Sequence, residues 1–418
     1  MNMLIESINL KGSVKAITSK SYAHRVLICA ALSDKSTTFK IDEFSEDILA
    51  TISCLEELGA KIEIDGSKIV VYPIVKKETI PILNCKESGS TLRFLLPVAT
   101  TIYERVIFKG EGRLPERPLS DLVEEIENHG VKFSSRTIPF ETEGKLNYKE
   151  SFNISGNISS QYISGLLLAA GILEDEVEIN ITTKLESKSY IDLTVEVMEK
   201  YGIEIVESGN KIVKRKSYKT IYREATIEND WSNAAFFLCA SALGDLISVE
   251  ELNLKSLQPD REIVSILRRF GAKIEVKKNI VNVYRRTLKG ITIELSEHPD
   301  LLPVLAVVAS ISKGETKFIN GKRLRFKESD RIKSTVEMIN NLGGMAMEEA
   351  DGLTVIGIEK LKGGIVNSRG DHRIVMAAAV ASIVCENEVK IVGSEAVNKS
   401  YPKFFEDFKI LGGDICRQ

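Results

Sequence analysis

The chain has 418 residues, 43% of them hydrophobic and 28% charged, with a formal net charge of -3. That is an ordinary globular composition, too long for one simple core, so two domains are expected. So small a net charge gives no global attraction to nucleic acid or to a membrane, and any anion site has to be local. No apolar run is long enough to span a bilayer, and MNMLIESINL lacks the basic start and cleavage site of a signal peptide. The six cysteines, Cys29, Cys54, Cys85, Cys239, Cys385 and Cys416, form no CxxC pair. Most sit inside apolar runs and read as reduced thiols packed as small hydrophobes, which fits a cytoplasmic protein.

In chain order, LIESINLKGSVKAI at the start alternates like strand. From Thr18 to Leu32, TSKSYAHRVLICAAL opens with hydroxyls and cations and then turns apolar, which predicts a buried helix capped by Ser19 or Thr18. A helix start carries partial positive charge and unpaired N–H groups, so Lys20, Ser21 and Arg25 there make an anion seat. The design recurs in KESGSTLRFLLPVAT at Lys86, SSQYISGLLLAAG at Ser159, DWSNAAFFLCASALG at Asp230, EHPDLLPVLAVVAS at Glu297 and GDHRIVMAAAVAS at Gly370. The starts lie roughly 70 residues apart, a spacing that signals a repeat architecture.

A second signal keeps the same rhythm. In TISCLEELGAKIEIDGSKIVVYP, residues 51–73, an amphipathic helix ends at Gly59 and is followed by a hairpin turning at Asp65-Gly66. It returns with Gly130, Gly202, Gly271, Gly343 and Gly412. The chain therefore divides into six units, each a buried helix, a strand, a surface helix and a strand pair, three units to each of two α/β domains. The sixth unit ends at Gln418 with no room for its strand pair, and the opening residues have no unit of their own. Residues 1–16 are thus expected to complete a C-terminal domain of residues 226–418, leaving 17–225 as the N-terminal domain. Chain crossings near Ala16 and Ala225 would form a hinge, with closure over a ligand as the consequence.

The densest charge cluster is GKRLRFKESDR, residues 321–331, where Lys322, Arg323, Arg325, Lys327 and Arg331 surround Glu328 and Asp330. Taken alone it reads as a solvated, self-neutralising helix start. Its company argues otherwise, because Arg369, Asp371, His372 and Arg373 open the next buried helix and Lys399 follows in NKSYP. Cations at several helix starts suit a substrate with more than one phosphate or carboxylate, and a carboxylate among them, Glu328 or Asp300, can move protons. The sequence has no Walker A, GxGxxG or HExxH motif, and its four histidines lack ligand spacing.

SKSYAHR at 19–25, SGSTLR at 88–93, GEGRLPERP at 110–118, SSQ at 159–161, SKSYID at 187–192, PDLLP at 299–303, KESDR at 327–331, GDHR at 370–373 and NKSYP at 398–402 together resemble the 5-enolpyruvylshikimate-3-phosphate synthase family. They span the chain in order. The resemblance implies two similar domains, each of three βαβαββ repeats around buried helices, an inside-out α/β barrel. It also implies transfer of the enolpyruvyl group of phosphoenolpyruvate to the 5-hydroxyl of shikimate 3-phosphate through a tetrahedral intermediate, with phosphate released and neither metal nor organic cofactor required.

By motif position, Asp300 resembles the base, Glu328 the acid that protonates the methylene, and Lys20 a phosphate neutraliser sharing the proton traffic. Lys20, Ser21, Arg25, Ser159, Ser160, Gln161, Ser187, Tyr190, Asp300 and Lys327 resemble the shikimate 3-phosphate contacts. Lys20, Gly89, Arg113, Gln161, Arg331, His372, Arg373 and Lys399 resemble the phosphoenolpyruvate contacts, where arginine forks suit carboxylate and phosphate. Glu87 and Arg323 stand where the family commonly has asparagine.

Each residue has a plainer reading. Ser19 and Ser159 would be ordinary caps, Gly89 a packing glycine, Arg113 and Arg117 parts of a surface loop, and Asp300 the cap of the LLPVLAVV helix. The nearest rival activity is enolpyruvyl transfer to UDP-N-acetylglucosamine, whose loop at this position typically carries a cysteine that residues 110–118 lack. An RNA-end-processing cyclase and a non-catalytic anion-binding scaffold are more distant alternatives. The expected partners are the two small anions, with no nucleic acid or membrane, acting on a monomer.

Overall fold

The computed structural model describes residues 1–6, 9–219 and 222–417, so Ser7 and Ile8 of the opening strand segment and the terminal Gln418 lie outside the described residues. The helices are α1 Lys20–Leu32, α2 Glu46–Glu57, α3 Gly89–Ile102, α4 Ser120–Asn128, α5 Ser160–Ala170, α6 Lys188–Lys200, α7 Trp231–Leu243, α8 Ile263–Phe270, α9 Leu302–Ser310, α10 Arg331–Asn341, α11 His372–Ala381 and α12 Phe404–Ile410. They alternate in character. Every residue of α7, α9 and α11 is buried, as are most residues of α1, α3 and α5, which is the behaviour of sequences apolar on all faces. The even-numbered helices bury one face each. Each of these surface helices exits through a glycine whose φ lies between 82 and 109, a backbone that L side chains resist: Gly59, Gly130, Gly202, Gly271, Gly343 and Gly412.

Two compact units result, a C-terminal unit of Met1–Ile17 with Glu228–Gln418 and an N-terminal unit of Thr18–Ile227. Each unit has its own apolar core. Each holds three small sheets, and the sheets share one pattern. In the second sheet, for example, strand Ile82–Asn84 runs parallel to Arg105–Lys109, which pairs antiparallel with Phe140–Glu143, and Lys132–Phe133 closes the edge. The helix between the parallel strands is the buried one, and the amphipathic helix follows the second strand.

The opening residues serve two sheets. Strand Asn2–Ile5 inserts between Val389–Val392 and Ile415–Arg417, taking the place of the missing last strand of the sixth unit. Strand Gly12–Lys15 lies parallel to Ile247–Glu250 and provides the first strand of the fourth sheet. The first sheet has three strands, and the position of a first strand is marked by a parallel bridge from Thr38 to Glu224 at the far end of the same unit.

Helices α3 and α5 approach closely at Gly165, where an added Cβ would run into the carbonyl oxygen of Arg93. Gly165→Ala therefore sets a helix-propensity gain of about 1 kcal/mol against an overpacking cost of about 1–3 kcal/mol. A lower urea midpoint for the variant is expected, and a higher one would show that the two helices separate freely.

Candidate active site

In the N-terminal unit the hydroxyl-rich helix starts are joined by side chains. Ser19 caps α1 by accepting from the Tyr22 N–H at 3.3 Å, and Ser88 and Ser159 cap α3 and α5 in the same manner. Lys20 Nζ meets Asp47 of α2 at 2.7 Å. His24 Nδ1 lies 2.8 Å from the Thr51 hydroxyl, which bonds Thr91 of α3 at 2.7 Å. Burial, then the charges of Lys20 and Arg25, hold the His24 imidazole well below its ordinary pKa, so it stays neutral. From α3, Arg93 Nη1 donates to Gln161 Oε1 at 2.9 Å and Gln161 Nε2 donates to the Ser90 hydroxyl at 2.8 Å.

The ring closes through α6. Ser164 bonds Thr194 at 2.7 Å, and Arg25 donates from Nε to Thr194 Oγ1, from Nη1 to the Ser21 carbonyl and from Nη2 to the Tyr190 carbonyl. Arg25 is 2% exposed, lies over the Phe94 ring and is pulled down to about 10 by burial. Ser187, buried before α6, adopts left-handed backbone with φ 54, as do Lys86 before α3 and Arg369 before α11. Such strain in residues other than glycine clusters at functional positions.

At Gly89 the structure separates two arginines that the sequence leaves equivalent. A Cβ there would stand 2.7 Å from Arg93 Nη1 and 2.8 Å from Arg117 Nη1, so both guanidinium groups lie against the start of α3. Arg113 instead pairs with Glu116 at 3.2 Å, a partly exposed arginine against an exposed carboxylate. Arg117 rather than Arg113 therefore lies beside Gly89, with the 3-10 turn Leu114–Glu116 between the two arginines. Glu87 packs over Gly112, into the 110–118 loop.

In the C-terminal unit the charged motifs converge on Arg331, the first residue of α10, which is 1% exposed. Its Nη1 donates to Asp300 Oδ1 at 2.6 Å, its Nη2 to Glu328 Oε2 at 2.6 Å, and its Nε to Asp371 Oδ2 at 2.9 Å. Arg373 Nη2 donates to the other oxygen of Asp300 at 3.0 Å, and Lys327 Nζ lies 4.0 Å from Oδ1. Burial favours a neutral Asp300, but Arg373, then Lys327 and Arg331, hold its carboxyl far below the usual range. Burial works against the Arg331 charge too, and Asp371, Glu328 and Asp300 more than reverse it.

Asp300 is therefore not the cap of α9. It sits in the 3-10 turn Pro299–Leu301, α9 has no side-chain cap, and the carboxylate turns to the two arginines. Asp371 caps α11 while holding Arg331, His372 is buried with Nδ1 4.0 Å from Asp371, and Lys399 Nζ donates to the Gly370 carbonyl at 2.7 Å. Arg323 donates to the Ser296 carbonyl. Asp47 and Thr194 lie outside the quoted motifs and contact alone reveals them, whereas Arg93 and Asp371 fall inside SGSTLR and GDHR and gain a role only from their contacts. Among the described residues no cluster of His, Cys, Asp or Glu is arranged to hold a metal, and no helix is long and apolar enough to cross a membrane.

The fold matches known ones along its whole length. EPSP synthase from Acinetobacter baumannii superposes with TM-score 0.82 at 22% identity, covering 100% of both chains. The enolpyruvyl transferase NikO from Streptomyces tendae gives 0.80 at 16%, covering 100% of this chain and 98% of that one. At such identities the likeness defines the architecture, that of the enolpyruvyl transferases. Sequence goes further: the family described as EPSP synthase (3-phosphoshikimate 1-carboxyvinyltransferase) matches residues 5–408. The 3-phosphoshikimate 1-carboxyvinyltransferase of Clostridium perfringens is 43% identical over 424 residues, 98% of each chain, and that of Clostridium novyi 41% over 427 residues, 99% of this chain and 98% of that one. The chain belongs to the EPSP synthase family.

Removing one partner from a buried ionic cluster costs about 3–5 kcal/mol, so Arg331→Met should lose that order of stability at pH 7. In the wild type the contribution of Asp300, whose carboxyl is depressed, is complete above the ordinary carboxylate range and fades as pH falls through it. In the variant the deserted carboxylates gain stability on protonation. Urea unfolding curves of the two proteins should converge toward pH 4, and a constant difference would show that the cluster contributes little.

Proposed function

We propose that the two clusters bind the substrates of the family's reaction and move its protons. As a member of that family the protein transfers the enolpyruvyl group of phosphoenolpyruvate to the 5-hydroxyl of shikimate 3-phosphate. The products are 5-enolpyruvylshikimate 3-phosphate and phosphate, on the route to the aromatic amino acids. The reading is carried by a single observation, that one buried guanidinium, Arg331, holds both Asp300 and Glu328.

In the addition step the hydroxyl oxygen forms a bond to C2 of phosphoenolpyruvate, its proton passes to a base, and an acid delivers a proton to the methylene carbon. Elimination then breaks the bond from C2 to the phosphate oxygen while the new methyl group returns a proton. Asp300 takes the base role and Glu328 the acid role in addition. The reaction balances without a cofactor.

The strongly depressed carboxyl of Asp300 makes it a weak base while Arg373 and Arg331 are turned to it. When phosphate and carboxylate groups of the substrate engage those arginines, their pull on Asp300 weakens and its basicity recovers. Lys20, Ser21, Arg25, Ser159, Ser160, Gln161, Ser187, Tyr190, Asp300 and Lys327 serve shikimate 3-phosphate. Lys20, Gly89, Gln161, Arg117, Arg331, Arg373 and Lys399 serve phosphoenolpyruvate, and His372, buried beside Asp371, steadies that end. We read residues 17–225 and 1–16 with 226–418 as the two domains, and the protein as a cytoplasmic monomer with no nucleic-acid partner.

Purified protein given shikimate 3-phosphate and phosphoenolpyruvate, with chelator present, should release inorganic phosphate, and UDP-N-acetylglucosamine as acceptor should yield none. Glu328→Gln should lower kcat by about 10²–10⁴ with both KM values within a few-fold, as expected for a lost proton carrier. A rate near half of wild type would remove Glu328 from that role.

The two arginines of the 110–118 loop provide a second check. Losing a hydrogen bond to a charged group is worth about 1.5–3 kcal/mol, so Arg117→Ala should raise the KM for phosphoenolpyruvate about 10–100-fold. Arg113→Ala, which breaks an exposed ion pair, should change it by less than about threefold. The reverse ranking would restore Arg113 to the seat.

A further inference from the structure

Behind Arg373 lies an acidic side chain that neither the motifs nor the reaction has used. Asp260, in the 3-10 turn Pro259–Glu262, is 0% exposed. Its Oδ2 accepts from the hydroxyl of Ser232 in the first turn of α7, while among the described residues its buried Oδ1 has no hydrogen-bond donor. An ionised carboxylate placed so has one oxygen with no donor, in surroundings that solvate charge poorly. Arg373 reaches toward the same place: Nη1 points to the Ser232 carbonyl at 3.4 Å, Nη2 donates to Asp300, and among the described residues the buried Nε has no acceptor. One guanidinium thus has Asp300 on one side and the Ser232–Asp260 pair on the other.

The charged and titratable groups around Asp260 come from four segments. Asp230, at the start of α7, is engaged by the Asn233 N–H at 2.7 Å. Arg373 comes from α11 and Asp300 from the turn Pro299–Leu301, while His298 Nδ1 lies 3.2 Å from the Pro259 carbonyl. The flanking Arg261 and Glu262 are exposed. Burial raises the Asp260 carboxyl most, the charges of Asp300 and Asp230 add to that, Arg373 and the Ser232 hydroxyl oppose it, and the outcome is about 7.

We propose that Asp260 is a positioning residue for phosphoenolpyruvate: it carries a proton while Arg373 holds that anion, and its ionisation weakens the binding. The proposal rests on the reading of Arg373 as a phosphoenolpyruvate contact. A protonated Asp260 leaves the guanidinium charge to the substrate and can use its O–H as a donor. An ionised Asp260 competes for the same guanidinium and adds a negative charge behind the anion. The proton comes from solvent and resides on a carboxyl oxygen, so no bond other than O–H forms or breaks.

The test is the KM for phosphoenolpyruvate from pH 6 to pH 9, read by phosphate release at saturating shikimate 3-phosphate, for wild type and Asp260→Asn. Ionisation of the substrate is common to both proteins, so the ratio of their KM values isolates Asp260. The ratio should be near one at pH 6 and rise to about ten at pH 9, with its midpoint near neutrality and kcat within a few-fold. A ratio that stays constant across this range overturns the proposal.

Ser232→Ala supplies a second arm if Asp260→Asn does not fold. Removing the donor that favours the ionised form should move the wild-type midpoint to higher pH, whereas a uniform change of KM at all pH values marks a merely structural contact and overturns the proposal. If Arg373→Gln keeps the wild-type KM, the underlying reading of Arg373 has failed, and with it the coupling, by a signature distinct from a constant ratio.

Discussion

A guanidinium almost wholly removed from water is costly unless its charge is matched by acceptors and carboxylates around it. Arg331 meets that condition with three carboxylates, Asp300, Glu328 and Asp371, drawn from the turn before α9, the loop before α10 and the cap of α11. Each is buried or nearly so, and loss of any one leaves uncompensated charge in a poorly solvating interior. Three segments far apart in the chain are thereby fixed to one another at the atoms that the proposed proton transfers require. Arg373 extends the web to α7, so the starts of α7 and α11 and the turn that leads into α9 are joined through one guanidinium, by an ion pair to Asp300 and a hydrogen bond to the Ser232 carbonyl.

The N-terminal unit solves the same geometric problem with mostly neutral groups. Its helix starts are linked by His24, Thr51 and Thr91, by Ser90, Gln161 and Arg93, and by Ser164, Thr194 and Arg25. Hydroxyls and amides can both donate and accept, so this ring links the helix starts and holds Arg25 and Arg93 there. A surplus of positive charge at N-termini is what anionic substrates need. The C-terminal cluster instead balances cations against carboxylates, which suits groups that exchange protons. The two halves of the chain share an architecture and differ in how their helix starts are linked, one through hydroxyls and amides and the other through ion pairs.

Some assignments turned on details that periodicity does not reach. Ser19, Ser88, Ser159, Asp230 and Asp371 act as caps as their positions before apolar runs suggest. Asp300 stands in a similar place but follows Pro299, and the resulting 3-10 turn swings its carboxylate away from the α9 backbone toward Arg331 and Arg373. Arg113 and Arg117 share one motif, and a single short turn between them decides which reaches Gly89. The departures from the family pattern also resolve by contact, since Glu87 packs over Gly112 and Arg323 is held by the Ser296 carbonyl.

What the sequence by itself determined is the local and periodic part: six buried helices, six amphipathic ones with glycine exits, the strands that follow them, and the motifs that mark the family. These depend on residues a few positions apart, and near-neighbour spacing is sufficient to specify them. The tertiary structure decided the rest. It fixed the register of strand Asn2–Ile5 in the sixth sheet, put Glu224 beside the first, set Arg117 rather than Arg113 beside Gly89, and brought Asp47 to Lys20 and Asp260 to the Ser232 hydroxyl near Arg373. Such pairings join residues separated by tens to hundreds of positions, and their strength comes from shared exclusion of water, which no stretch of chain possesses before it packs.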